Sequence, residues 1–208
     1  VGVRPGDPIV PHAEFRAMAI DGVVSGKAFD DRVGVALMCQ AMSELAEREH
    51  PNTVIGVGAV QEELGARGAG TAAELARPDL ALVLECTPAD DLPPDKSPQA
   101  ALGRGPQIRH YDPTAVSNRR LVRLVEQVAA EVGIEVQMAV RRSGGTDAGR
   151  IHTSGSGVPT VVIGVPARYI HSHVAVMQLS DYRAALRLVV ETVMTIDAEQ
   201  ARQFGSFD

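Results

Sequence analysis

Residues 80–85 read Leu80-Ala81-Leu82-Val83-Leu84-Glu85. Five apolar residues in a row, without the polar alternation of a half-exposed strand, mark a strand buried on both faces. The run ends in a carboxylate, a group that is costly to bury without a partner. The same pattern occurs twice more. Residues 53–60 (TVIGVGAV) run into Gln61-Glu62-Glu63, and residues 159–165 (PTVVIGV) lead through Pro166-Ala167-Arg168-Tyr169-Ile170 to His171.

Between these runs lie segments of helical spacing. Residues 31–49 (DRVGVALMCQAMSELAERE) place apolar side chains three and four apart, which predicts a long amphipathic helix. Residues 67–75 predict a short helix, residues 118–131 another with Ser117 or Asn118 as N-cap, and residues 180–196 a C-terminal one. Residues 134–140 alternate and read as a strand. Residues 88–106, rich in Pro and Asp, read as loop, and residues 1–29 as turns with short extended pieces. Apolar strands separated by amphipathic helices predict an α/β fold, with a central mixed, mostly parallel sheet flanked by helices. In open α/β sheets ligands bind beyond the carboxyl ends of the strands. Glu62, Glu63, Glu85 and His171 fall there, and Asp30 and Asp31 stand just before the first helix.

The 208 residues suit one domain spanning residues 1–208. A chain 45% hydrophobic and 22% charged belongs with globular proteins. It has no run of about eighteen apolar residues, so no membrane-spanning helix is expected. The opening Val1-Gly2-Val3-Arg4-Pro5-Gly6 lacks both Met and a signal-peptide pattern, and reads as cut from a longer chain. A net charge of −6 argues against a nucleic-acid partner. Cys39 and Cys86 form no paired motif, which makes a reducing cytoplasm the simpler setting. With no Trp and 3% aromatics, the chain offers no stacking platform for sugars or bases.

Carboxylates gathered at one sheet edge repel each other, so something positive should hold them. A pair of divalent metal ions would do so, and a mixed carboxylate and imidazole set suits Zn, Co or Mn. None of the pieces is specific alone. A DD pair before a helix is ordinarily an N-cap, and an EE pair after a strand is ordinarily solvated. His12, His50, His110, His152 and His173 read as surface or structural residues, and Cys86 as a small buried hydrophobe.

In combination the pieces are specific. GKAFDDRVG (26–34), QEELGARGA (61–69), ALVLECT (81–87), GRGPQIRHYD (103–112) and RRSGGTDAGRIHTSGSGVPTVVIGVPARYIHS (141–172) resemble, in order, the tetrahedral-aminopeptidase family. That family, with its deblocking and glutamyl aminopeptidases, lies within the cocatalytic zinc metallopeptidases. The resemblance implies that Asp30 bridges two divalent metals, with a cis peptide to Asp31, and that Asp31 orients its neighbours. It implies that Glu63 and His171 hold one metal, Glu85 holds the other, and Glu62 takes the proton from the metal-bound water. Asp147, in Gly144-Gly145-Thr146-Asp147, would help shape the substrate pocket. The implied activity is removal of N-terminal residues from peptides, in a hollow homo-oligomer with inward-facing sites.

The resemblance also implies a His ligand from an upstream HxD-type motif, and a small inserted β domain. Neither stands in these residues, since His12 in Pro11-His12-Ala13 is not the motif. The chain is therefore expected to be the C-terminal part of such an enzyme, with one metal site complete in protein ligands and the other short of its His. Two other readings compete: an inactive or structural fragment, and a glycoside hydrolase, because some relatives carry a cellulase label. The latter needs two carboxyls roughly 5–9.5 Å apart and no metal. The absence of Trp and the ligand-like His171 argue against it.

Overall fold

The computed structural model describes residues 2–94 and 97–206. Val1 of the opening residues, and Asp95 and Lys96 of the 88–106 loop, lie outside the described residues. In chain order the elements are β1 (Arg16–Ala17), β2 (Val23–Gly26), α1 (Phe29–Ala46), a 3-10 turn (Glu62–Leu64), α2 (Arg67–Ala76), β3 (Ala81–Pro88), β4 (Gln107–Asp112) and β5 (Ala115–Val116). They continue as α3 (Arg119–Glu131), β6 (Gln137–Val140), α4 (Ala148–Ile151), β7 (Thr160–Arg168), β8 (Ala175–Gln178), α5 (Leu179–Thr195) and α6 (Ala198–Gly205).

The strand read from residues 80–85 is β3, and it pairs in parallel with β7, Glu85 lying opposite Gly164. Along β7 the side chains alternate, as the pleat requires. Val161, Ile163 and Val165 join the apolar clusters built with α1, α3 and α5, while Val162 joins Val83 and Ala148 on the other face. Leu37, Leu121, Val125 and Leu188 are fully buried in the thick layer. Burying each such side chain contributes on the order of 1.5–3 kcal/mol. The thin layer on the other face is built, among the described residues, around Val83, Ala148 and Val162, with Ala115 and Ile151 against them. Glu85 shares the Val83 side of β3 and therefore faces it.

Helices α1, α3 and α5 lie where the periodicity predicts them. Asn118 caps α3, its side chain accepting from the backbone of Arg120 and Leu121. The sheet is mixed, as expected, but its parallel share is smaller than expected. Only β3/β7 and β4/β6 are parallel, and the remaining five described pairings are antiparallel. Short returns, such as the one from β7 to β8, force antiparallel neighbours.

A second difference concerns residues 53–60. They form no strand, and among the described residues 53–59 make no backbone–backbone hydrogen bond. Ile55, Val57 and Val60 are exposed. An apolar run becomes a strand only when another strand lies beside it to complete the ladder. Among the described elements, β4, β5, α4, β8 and α6 had no clear forecast. No described helix is long and apolar enough to cross a membrane.

Helix α1 comes close to β3 at Gly34, where a Cβ would stand 2.7 Å from the Leu84 carbonyl oxygen and collide with the Asp31 carboxylate. Gly34→Ala is therefore expected to destabilise the protein by about 1–3 kcal/mol. Thermal unfolding should report a lowered midpoint, whereas an unchanged melt would contradict the close approach.

Candidate metal centre

The site is assembled from chain ends and turns. Asp30 and Asp31 stand at the irregular start of α1, with ψ of 104° and 52°, and regular helix follows them. The Asp31 carboxylate accepts the Gly34 N–H at 2.9 Å, which makes it a cap of that helix. The Asp30–Asp31 peptide is cis, as the resemblance implies. Glu62 and Glu63 sit on the 3-10 turn, entered through Gln61 at φ 61°. His171 lies in the turn after β7, at φ 59°, with Tyr169 at φ 61°, and Ala28 precedes α1 at φ 56°. Left-handed backbone at a non-glycine residue costs on the order of 1–2 kcal/mol. Four such residues flank the candidate ligands, the kind of clustering that functional sites tolerate.

His171 Nε2 lies 2.8 Å from Asp30 Oδ2 and 3.5 Å from Glu63 Oε1. One ligand atom each from Asp30, Glu63 and His171 fall within 4.8 Å of one another, and the same holds for Asp30, Asp31 and Glu85. Asp30 thus belongs to both sets. Two atoms on one zinc ion, each bonded at about 2.0–2.2 Å, stand up to about 4 Å apart, so both sets have the span of a cation site. Their donors, carboxylate oxygen and imidazole nitrogen, fit a divalent transition ion. Small shifts would let either set close on an ion.

The two halves differ in access. Glu85 is buried, and Asp30 exposes 14% of its side chain. His171 and Glu63 expose 64% and 61% of theirs, so the second half opens to solvent. A cleft of ≈ 80 Å³ there is lined by Asp30, Glu63, Ile170 and His171 among others. That volume suits an ion with a few waters.

The electrostatics agree with the geometry. Burial pushes the Glu62 carboxyl up to about 7, with Asp147, Glu63 and Asp30 adding to the shift. Burial, opposed by the Gly34 N–H and reinforced by Asp30, brings Asp31 up to about 8. Glu85 is held well above the carboxylate range by burial, then by Asp31 and Asp30. Burial also raises Asp30 and Asp147. Every cause that raises these groups is desolvation or like charge, and a bound cation would relieve both.

All seven residues singled out in the sequence are accounted for. Asp30, Glu63, Glu85 and His171 converge, and Asp31 stands closer than an orienting role requires, its oxygen completing the second set. Glu62 and Asp147 lie outside both sets but within electrostatic range of each other. One Asp147 oxygen is buried without a hydrogen-bond partner among the described residues. Cys86 is buried in an apolar cluster, as expected, and its N–H donates to Glu85 Oε1 at 3.1 Å. Sequence reasoning missed Arg109, a buried cation on β4 that works against the upward shifts of Asp30 and Glu85. Its signal was an Arg inside GRGPQIRHYD, three residues beyond Gly105-Pro106.

The family model of M42 glutamyl aminopeptidases matches residues 1–188, and the chain belongs to that family. The glutamyl aminopeptidase of Lactococcus lactis subsp. cremoris is 32% identical over 206 residues, which is 99% of this chain and 57% of that protein. The TET aminopeptidase of a marine-sediment archaeon of the Thaumarchaeota superposes with a TM-score of 0.95 at 43% identity, covering 98% of this chain and 58% of that one. The TET1 peptidase of Pyrococcus horikoshii, which can assemble into a tetrahedron or a large octahedral shell, gives 0.75 at 30% identity, over 88% of this chain and 54% of that one. The chain thus spans a little over half the length of these relatives.

The raised carboxyls set a sign for stability. Glu62 and Asp31 bind protons more tightly folded than unfolded, so their contribution is present below the ordinary carboxylate range and lost as pH rises through about 7 and 8. The metal-free protein should melt at lower temperature at pH 8 than at pH 5. The double variant Asp31→Asn with Glu62→Gln should flatten that slope, and a divalent cation should reverse it at pH 8. A metal-free melting point that rises over this range would contradict the assignment.

Proposed function

We propose that this chain forms the catalytic part, residues 1–208, of a metal-dependent aminopeptidase that removes N-terminal residues from peptides. The observation that carries the reading is the sharing of Asp30 between two sets of ligand atoms. Such sharing is what a dinuclear centre needs, and the family match favours a peptidase over a glycoside hydrolase or a structural remnant. Asp30, Glu63 and His171 would hold one divalent ion, and Asp30 and Glu85, with Asp31 alongside, the other. Zinc is the proposed metal, with cobalt or manganese as substitutes.

When bound, the ions supply Lewis acidity and make a water molecule nucleophilic at neutral pH. The remaining work falls to the chain. Glu62, half-buried and raised to about 7, has a proton affinity matched to accepting a proton from water near neutral pH. The same carboxyl then returns the proton to the departing amine nitrogen. Glu63 and His171 stand on the open side, where a peptide can enter. Asp147, within electrostatic range of Glu62, would help shape the substrate pocket. Peptides are thus the proposed substrates. A homo-oligomer, on the likeness to the TET1 peptidase, and a cytoplasmic setting complete the proposal.

Glu62→Gln tests the mechanism. Peptide turnover should fall by roughly 10²–10⁴-fold, the usual weight of a general acid–base group, while calorimetry finds metal binding intact. Full activity in that variant would overturn the role of Glu62. Chelation should abolish release of N-terminal residues and added zinc, cobalt or manganese should restore it. Turnover indifferent to chelator would overturn the metal requirement.

A further inference from the structure

A thread of polar groups, buried from Thr87 to Asp112, runs from beneath Glu85 to the loop that carries Asp147. It begins at Gly164, which lies opposite Glu85 on one side and Gln107 on the other. A Cβ on Gly164 would fall 2.9 Å from the Thr87 Cβ, so the missing side chain is what lets Thr87 reach across β7. Thr87 Oγ1 donates to Gln107 Oε1 at 2.8 Å and accepts from Arg109 Nη2 at 3.2 Å. Arg109 Nη1 donates to Asp112 Oδ2 at 3.2 Å. The other Asp112 oxygen accepts from the Thr114 N–H, the Thr114 hydroxyl and the Ala115 N–H at 2.8, 2.6 and 3.1 Å.

Thr114 is where the thread meets the loop. A Cβ on Gly145 would stand 2.6 Å from Thr114 Cγ2, and one on Gly149 would stand 2.8 Å from its Cβ. These two glycines bracket Asp147, so the backbone on either side of Asp147 packs against Thr114. From the other direction, Arg150 Nε donates at 3.2 Å to the carbonyl of Gly65, the residue that closes the turn bearing Glu62 and Glu63. Arg109 and Asp112 are both almost wholly buried. Burying such an ion pair adds little net stability, and the better-attested use of one is to fix a single arrangement of the groups around it.

We propose that Arg109, Asp112 and Thr114 are positioning residues, which seat the Gly145-Thr146-Asp147 loop and hold Asp147 at a fixed distance across from Glu62. The proposal rests on the aminopeptidase reading for its consequence in catalysis, though not for its structural content. None of the three side chains is a metal ligand or a proton carrier. The effect of Thr114 on turnover would pass through the loop, whereas Arg109 also acts by charge on Asp30 and Glu85, so loop exchange and not turnover reads its positioning part.

The test is a suppression experiment on the full chain. Gly145→Ala should push the loop off Thr114 and lower kcat/KM by roughly 10- to 100-fold, the scale of an ångström-sized misplacement, with metal affinity unchanged. Thr114→Ala alone empties the seat and should lower kcat/KM as well, whereas in the pair Gly145→Ala with Thr114→Ala the added methyl takes the vacated space and should recover most of that loss. A double variant no better than Gly145→Ala alone would overturn the proposal. Hydrogen exchange gives a readout that needs no activity. Arg109→Met should speed exchange at residues 144–149 while leaving α1 and β7 unchanged, and Arg109→Lys should restore protection. Unchanged exchange at 144–149 would overturn the proposal even in a chain that hydrolyses no peptide. Loss of turnover in the unmodified chain with metal bound would instead count against the aminopeptidase reading.

Discussion

Burial of carboxylates around Asp30, reinforced by repulsion among them, is the constraint that organises this molecule. Asp30, Asp31, Glu62, Glu85 and Asp147 all have their carboxyls raised, and burial is the largest cause in each. A fold that brings such groups together without a counter-charge opposes its own stability. The protein supplies part of that charge through buried Arg109 and the imidazole of His171. A cation held by the two ligand sets that share Asp30 would supply the rest. The left-handed residues Ala28, Gln61, Tyr169 and His171 belong to the same balance, because they aim side chains that an unstrained backbone would direct elsewhere.

The sheet makes this arrangement possible by dividing its labour between its faces. The face covered by α1, α3 and α5 carries the larger apolar clusters and most of the burial. The opposite face is covered by short α4 and by small residues, so polar side chains can lie against the sheet there. Gly164 is the clearest instance, since its bare backbone allows groups from β3 and β4 to meet over the intervening strand. Stability from one face thus permits a charged site on the other.

The sequence made some of this legible and hid the rest for physical reasons. Strands β3 and β7 and helices α1, α3 and α5 were readable because burial imposes a period on side chains, and a period survives in one dimension. Residues 53–60 have the same apolar signature yet no ladder, because a strand is defined by its neighbour and not by its own composition. Strand β4 was hidden by Arg109 and Asp112, buried polar residues that pair with each other, Arg109 also reaching Thr87 on β3. Helix α6 is mostly polar, although its capping box of Asp197 and Gln200 was a signal available in the sequence. At the site, the motifs marked every residue that converges, but not the closeness of Asp31 to Glu85. That closeness depends on the packing of α1 against β3.

The central claim is that Asp30 joins two cation sites. Anomalous diffraction at the zinc absorption edge, from crystals of this chain grown with zinc, tests it most directly. The account predicts density on both sides of the Asp30 carboxylate, one peak beside Glu63 and His171 and one beside Glu85, about 3.5–4 Å apart. Crystals with zinc bound elsewhere and no anomalous peak at Asp30 would contradict it.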